Sequence, residues 1–186
     1  VASSQGGAVN LIWVNFTQLQ SINVIQNRVK GNFGGGILAA DCLHILISNA
    51  DISDNKVSGR GGGICIYRFQ SFYCFQTLFS RNYAKDRGAG VSTVSGVTVQ
   101  IKYCSFFENK ARLGGGVDIF YFNTFNRLLS GKGLYIHAFS SFKTLFSHNY
   151  AKSNGGGLNI INSVSTKIRI SSFIKNEVKN CGGGLY

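Results

Sequence analysis

Apolar and polar residues alternate in short runs along this chain, as in Ile64-Cys65-Ile66-Tyr67, Val97-Thr98-Val99-Gln100-Ile101 and Ile168-Arg169-Ile170-Ser171. A period of two is the pattern of a strand buried on one face. No window carries the i, i+3, i+4, i+7 spacing of a helix over a useful length. Between the runs a second pattern recurs. Asparagine stands at Asn27, Asn55, Asn82, Asn109, Asn149 and Asn176. Three residues earlier is always an apolar residue: Val24, Ile52, Phe79, Phe106, Phe146 and Phe173. Two residues later is a small apolar one: Val29, Val57, Ala84, Ala111, Ala151 and Val178. A glycine triplet follows, beginning at Gly34, Gly61, Gly88 (here Gly-Ala-Gly), Gly114, Gly155 and Gly182, and Gly6-Gly7-Ala8 starts the series.

The triplets lie 26 to 28 residues apart except for one interval of 41. A fixed period in this range means stacked supersecondary units. Helical repeats are excluded, since three consecutive glycines would cost about 2.5–3 kcal/mol relative to alanine in a helix. About 27 residues accommodate three short strands and their turns, which is one coil of a parallel β-helix with coils about 4.8 Å apart. The chain is therefore expected to be all-β, a parallel β-helix solenoid of about seven coils forming a single domain over residues 1–186.

Stacked coils give the repeated residues their roles. Phe79, Phe106, Phe146 and Phe173 should form a ladder of offset rings, worth about 0.5–1.5 kcal/mol per pair beyond burial. The six asparagines should hydrogen-bond the coils above and below at a corner no strand reaches. Glycine permits positive φ where the chain turns, and the absence of proline spares the N–H donors of central strands. The long interval predicts an insertion at residues 123–135, expected to protrude as a loop.

Phe79-Ser80-Arg81-Asn82 with Gly88-Ala89-Gly90-Val91, Phe106-Phe107-Glu108-Asn109 with Gly114-Gly115-Gly116-Val117, and Phe146-Ser147-His148-Asn149 with Gly155-Gly156-Gly157-Leu158 resemble a known motif pair. It is the F-x-x-N and G-G-[AG]-[ILV] pair of polymorphic outer-membrane-protein repeats. The resemblance covers nearly the whole chain, and departs from the family in having Gly where the third position is often Ala. It implies a right-handed, pectin-lyase-like parallel β-helix, a surface or secreted location, and an adhesive or structural role.

Charge adds a second candidate. The net charge is +12, and twelve of the 19 basic residues lie around the turns between asparagine and triplet: Arg28, Lys30, Lys56, Arg60, Arg81, Lys85, Arg87, Lys110, Arg112, Lys152, Lys175 and Lys179. Strictly between asparagine and triplet, only Asp86 and Glu177 offset them. Stacking should align these residues into one longitudinal basic edge. Neighbouring charges 4.8 Å apart repel by about 0.9 kcal/mol even in water, so the edge either keeps the surface soluble or binds a polyanion such as an acidic polysaccharide. Nucleic acid is disfavoured because no nucleic-acid-binding motif accompanies the charge.

Catalytic chemistry finds little footing. The acids Asp41, Asp51, Asp54, Asp86, Glu108, Asp118 and Glu177 offer no facing pair for hydrolysis or calcium. His44, His137 and His148 occupy unrelated repeat positions. No catalytic residue, metal site or cofactor is expected. Cys74 and Cys104 lie one coil apart but three positions out of register, a separation of about 10 Å that would forbid a disulfide. Asn15-Phe16-Thr17 is a glycosylation sequon with Asn15 as acceptor. No segment is apolar for long enough to span a membrane as a helix. The repeat runs to both ends without a cap, which suggests part of a longer chain or head-to-tail stacking of copies into a fibre. The expected function is a non-enzymatic structural or adhesive extracellular repeat. The alternative is a polyanion-binding, carbohydrate-binding or carbohydrate-processing module that uses the basic edge.

Overall fold

Each repeat closes one turn and hands one segment to each of three parallel sheets. The computed structural model describes residues 6–120 and 138–186. It is a right-handed parallel β-helix in which seven glycine triplets delimit six turns, one fewer than a turn per triplet. The insertion expected at residues 123–135 lies outside the described residues. Among the described residues no helix is long and apolar enough to cross a membrane.

The alternating runs build the largest sheet. Its central strands, Ile37–Ser48, Ile64–Phe75 and Val91–Lys102, are twelve residues each and pair in register. The second sheet is formed by three-residue strands around the apolar ladder, such as Leu78–Ser80, Ser105–Phe107 and Leu145–Ser147. The third is made of short strands after each asparagine, such as Lys56–Val57, Tyr83–Ala84 and Lys110–Leu113.

Register survives the long interval. Phe79 pairs with Phe106, Phe106 with Phe146, and Phe146 with Phe173. The three ring pairs stack at centroid distances of 4.7, 5.0 and 4.7 Å, with planes within 7° of parallel. These rings join Ile37, Ile64, Val91, Val117 and Leu158 from the long sheet in one continuous core. A second, smaller cluster of Val29, Val57, Ala84, Ala89 and Ala111 lies beneath the third sheet. Here the small residues of the sequence pattern find their reason, because the turn leaves little room between sheet and glycine triplet.

The corners hold conformations the pattern conceals. In the third turn the left-handed positions are Gly61 (φ 67°), Arg68 (53°), Gln76 (44°) and Arg81 (51°). Only the first is glycine. A non-glycine residue in this region costs about 1 kcal/mol or more, and the stack tolerates it because the backbone on either side is hydrogen-bonded to the next coil. Arg68 bends its long strand midway and forms an ion pair with Asp41 of the preceding turn.

One of these corners corrects an expectation. The sulfurs of Cys74 and Cys104 lie 3.6 Å apart, both buried. Counting three positions as 10 Å assumed a straight strand. The chain instead folds at Tyr103 (φ 57°), which turns Cys104 back toward the column containing Cys74 and Ile101.

Candidate functional site

The asparagine ladder is the most regular polar feature. Asn55 Oδ1 accepts from both the backbone N (3.0 Å) and Nδ2 (2.9 Å) of Asn27. The same pair of bonds links Asn55 to Asn82, Asn82 to Asn109, Asn109 to Asn149 and Asn149 to Asn176. Each Nδ2 from Asn55 onward also donates to a backbone carbonyl of the turn before, that of Asn109 to Phe79 O at 2.9 Å. Asn55, Asn82, Asn109 and Asn149 are fully buried. Their amides are satisfied throughout, so the ladder stabilises the corner and offers nothing to a ligand.

The basic edge is divided rather than continuous. One column runs Arg28, Lys56, Tyr83, Lys110, Tyr150 and Glu177 in direct register. Lys56 and Lys110 each lie 5.1 Å from the ring of the following tyrosine. Tyr83 thus separates the two lysines and eases the expected repulsion between them, while Arg28 stands directly beside Lys56. A second group, Lys30, Lys85, Arg112, Lys152 and Lys179, follows two residues later in every turn but that of Lys56, where Ser58 stands. Arg81 and Lys175 precede their asparagines, on the far side of the corner. Sequence counting also missed two acids. Arg81 pairs with Asp54 at 2.7 Å, and Arg87 with Asp118 at 3.5 Å, while Asp86 bridges Arg112 (2.6 Å) and Arg60 (3.2 Å). The hydrogen bond from Arg81 holds the Asp54 carboxyl below its usual range. At Asp86 burial works the other way, but the two guanidiniums prevail and hold it low as well.

Asp118 is different in kind. It is fully buried, in a column where it pairs with Ser92 below and Asn159 above. Asn159 Nδ2 donates to it at 2.6 Å. Burial pushes its carboxyl up to about 6, in spite of Arg87. The Arg87 guanidinium is largely covered and also lies 4.8 Å from the Phe120 ring. Arg87 is thus part of a buried polar cluster, not a free cation on the surface. Cys65 belongs to the same column, paired with Ser92, and burial pushes its thiol up to about 12.

The largest sheet carries a surface groove of about 490 Å³ near the corner at Tyr103. Along its floor Phe75, Lys102, Phe142 and Arg169 follow one another in register, one per turn. Tyr103 stands edge-on to both phenylalanines, at 5.1 Å from Phe75 and 5.5 Å from Phe142. Gln100, Ser140 and Lys167 form the parallel column beside them. Nothing in the repeat motif marks these residues. The only sequence signal is that aromatic and basic residues occupy one position of successive turns, visible once the register is known.

Other candidates stay apart. His44 Nδ1 lies 2.8 Å from Ser71 Oγ and His148 Nδ1 lies 2.6 Å from Ser147 Oγ. Among the described residues no three His, Cys, Asp or Glu side chains gather as metal ligands would. Asn15 is exposed. No family model, curated protein or solved structure matches the chain.

Proposed function

We propose that the chain is an extracellular structural and adhesive segment of the polymorphic outer-membrane-protein repeat type, a rigid rod that carries binding side chains on its flanks. The observation that supports this reading is the unbroken asparagine ladder from Asn27 to Asn176. It stiffens every turn at the same corner while leaving the outward residues free to vary. Rigid scaffolds with variable flanks suit attachment. The alternative, a polyanion-binding or carbohydrate-processing module working from the basic turns, draws on the exposed Lys30, Lys85, Lys152 and Lys179.

Beads coated with the folded chain test the reading on extracellular matrix laid down by cultured cells. Retention under flow, with no release of sugar fragments from the matrix, is the expected result. Beads that wash off as readily as uncoated ones would remove the adhesive role, and released fragments would replace it with an enzymatic one.

A further inference from the structure

We propose that the groove at Tyr103 binds an acidic polysaccharide lying along the solenoid axis, one whose negative charge falls on alternate sugars. The proposal rests on the adhesive reading above and gives it a ligand class and a place.

The argument begins with spacing. Phe75, Lys102, Phe142 and Arg169 occupy one column on successive turns, so aromatic and cation alternate at the rung distance. Like partners recur every two rungs, about 9.6 Å, close to the length of a disaccharide unit. A chain of alternating neutral and anionic sugars laid along this column would bring an apolar ring face to each phenylalanine and an anionic group to each cation. Tyr103, wedged edge-on between the two phenylalanines, fixes both rings, and the residue is itself 43% exposed. A third cation, Lys167, lines the groove from the neighbouring column.

Charge and chemistry agree with that occupant. The groove lining contains three cations and no carboxylate, so a polyanion gains from complementarity without an internal competitor. Gln100 and Ser140 supply neutral donors and acceptors of the kind sugar hydroxyls use. A single-stranded nucleic acid would also stack on aromatics and meet cations, but it carries a charge on every unit instead of every second one. The turn edge has its own alternation of Lys56, Tyr83, Lys110 and Tyr150. There each ammonium lies 5.1 Å from a tyrosine centroid. In the groove Lys143 likewise lies 5.5 Å from Phe142 and 5.7 Å from Tyr103, where it would meet the ligand as a further cation. The groove is preferred because its residues line a cavity of about 490 Å³.

Binding of the folded chain to hyaluronate or chondroitin sulfate, measured by calorimetry at physiological salt, tests the proposal. Alginate runs of consecutive uronates and single-stranded DNA serve as comparison ligands. Two double variants are compared, Lys102→Ser with Arg169→Ser in the groove and Lys56→Ser with Lys110→Ser on the turn edge, each checked for unchanged circular dichroism. The expected result is binding of the alternating polysaccharide that weakens tenfold or more in the groove variant and less than twofold in the edge variant. Tyr103→Ala should weaken it as well. Loss confined to the edge variant would overturn the groove assignment, as would equal loss in both or in neither. Tighter binding of DNA or alginate would overturn the ligand class. If coated beads hold to matrix while neither alternating polysaccharide binds, the groove proposal falls and the adhesive reading stands. If beads fail on matrix, the adhesive reading falls first.

Discussion

The sulfurs of Cys74 and Cys104 meet at 3.6 Å across a corner, joining two successive turns of the solenoid. Burial raises the Cys74 thiol well above its usual range, so in the folded protein it is a poor nucleophile. Folding in a glutathione disulfide buffer should oxidise the pair. A thiolate of one cysteine displaces glutathione, the other thiolate displaces the first sulfur's partner, and two glutathione thiols leave with the electrons. The intact mass should fall by two hydrogens, with a Cys74–Cys104 linked peptide on digestion. The folded, reduced protein should react far more slowly. A closed loop of this size should add about 3–4 kcal/mol of stability. Linkage of Cys104 to any other cysteine would contradict the corner geometry.

Asn109→Ala should be far more damaging than Asn27→Ala. The buried Asn109 side chain serves two donors of Asn82 and donates to Phe79 O and Asn149 Oδ1. Each buried group left without a partner costs about 1–3 kcal/mol, which puts the loss at about 4 kcal/mol or more. Asn27 is half-buried and its replacement should cost about 1 kcal/mol. Urea unfolding of the two variants gives the comparison, and equal costs would mean the ladder is not cooperative in the way its bonding indicates.

Asp118 should make the fold less stable as pH rises from 4 to 6. Its carboxyl is pushed up to about 6 by burial, whereas an unfolded aspartate ionises near 3.9. Between those values the folded state holds a proton that the unfolded state has lost, so its stabilising effect is complete below pH 4 and gone above pH 6. The difference is about 3 kcal/mol. In Asp118→Asn this part of the pH dependence should vanish, as read from unfolding midpoints at pH 4, 5 and 6. An unchanged slope would move its origin elsewhere.

Gly96 is a packing glycine. A Cβ there would lie 2.0 Å from Cζ of Phe69, its neighbour in register one turn earlier. Gly96→Ala should therefore destabilise by about 2 kcal/mol. Adding Phe69→Leu should recover part of that loss, although Phe69→Leu alone is destabilising. A coupling energy of about 0.5–3 kcal/mol between the two positions is expected, and thermal melts of the cycle would reveal it. Strict additivity would show that the clash is relieved by backbone movement.

Much of the fold could be read from residues alone. The apolar residue before each asparagine predicted the ring ladder through Phe173, and the asparagines themselves predicted the corner hydrogen bonds. The basic edge was legible only as a list of residues. Asp54, which pairs with Arg81, stands just before its asparagine at the repeat position of Arg81 itself, and Asp118, which pairs with Arg87, lies beyond the triplet. Neither shows in a charge tally taken between asparagine and triplet, and nor does Tyr83, which spaces Lys56 from Lys110.

The sequence by itself determined the stacked turn, its three strands and the vertical register, because in a solenoid equivalent positions repeat at one strand spacing and every fixed residue type marks its own column. Tertiary structure alone decided what meets diagonally: Cys74 with Cys104, Arg87 with Asp118, Tyr103 with Phe75 and Phe142. Those contacts depend on how sharply each corner bends. The bends are made by left-handed residues such as Arg68, Gln76 and Tyr103, whose identities announce nothing, since the hydrogen-bonded coils on either side impose the conformation.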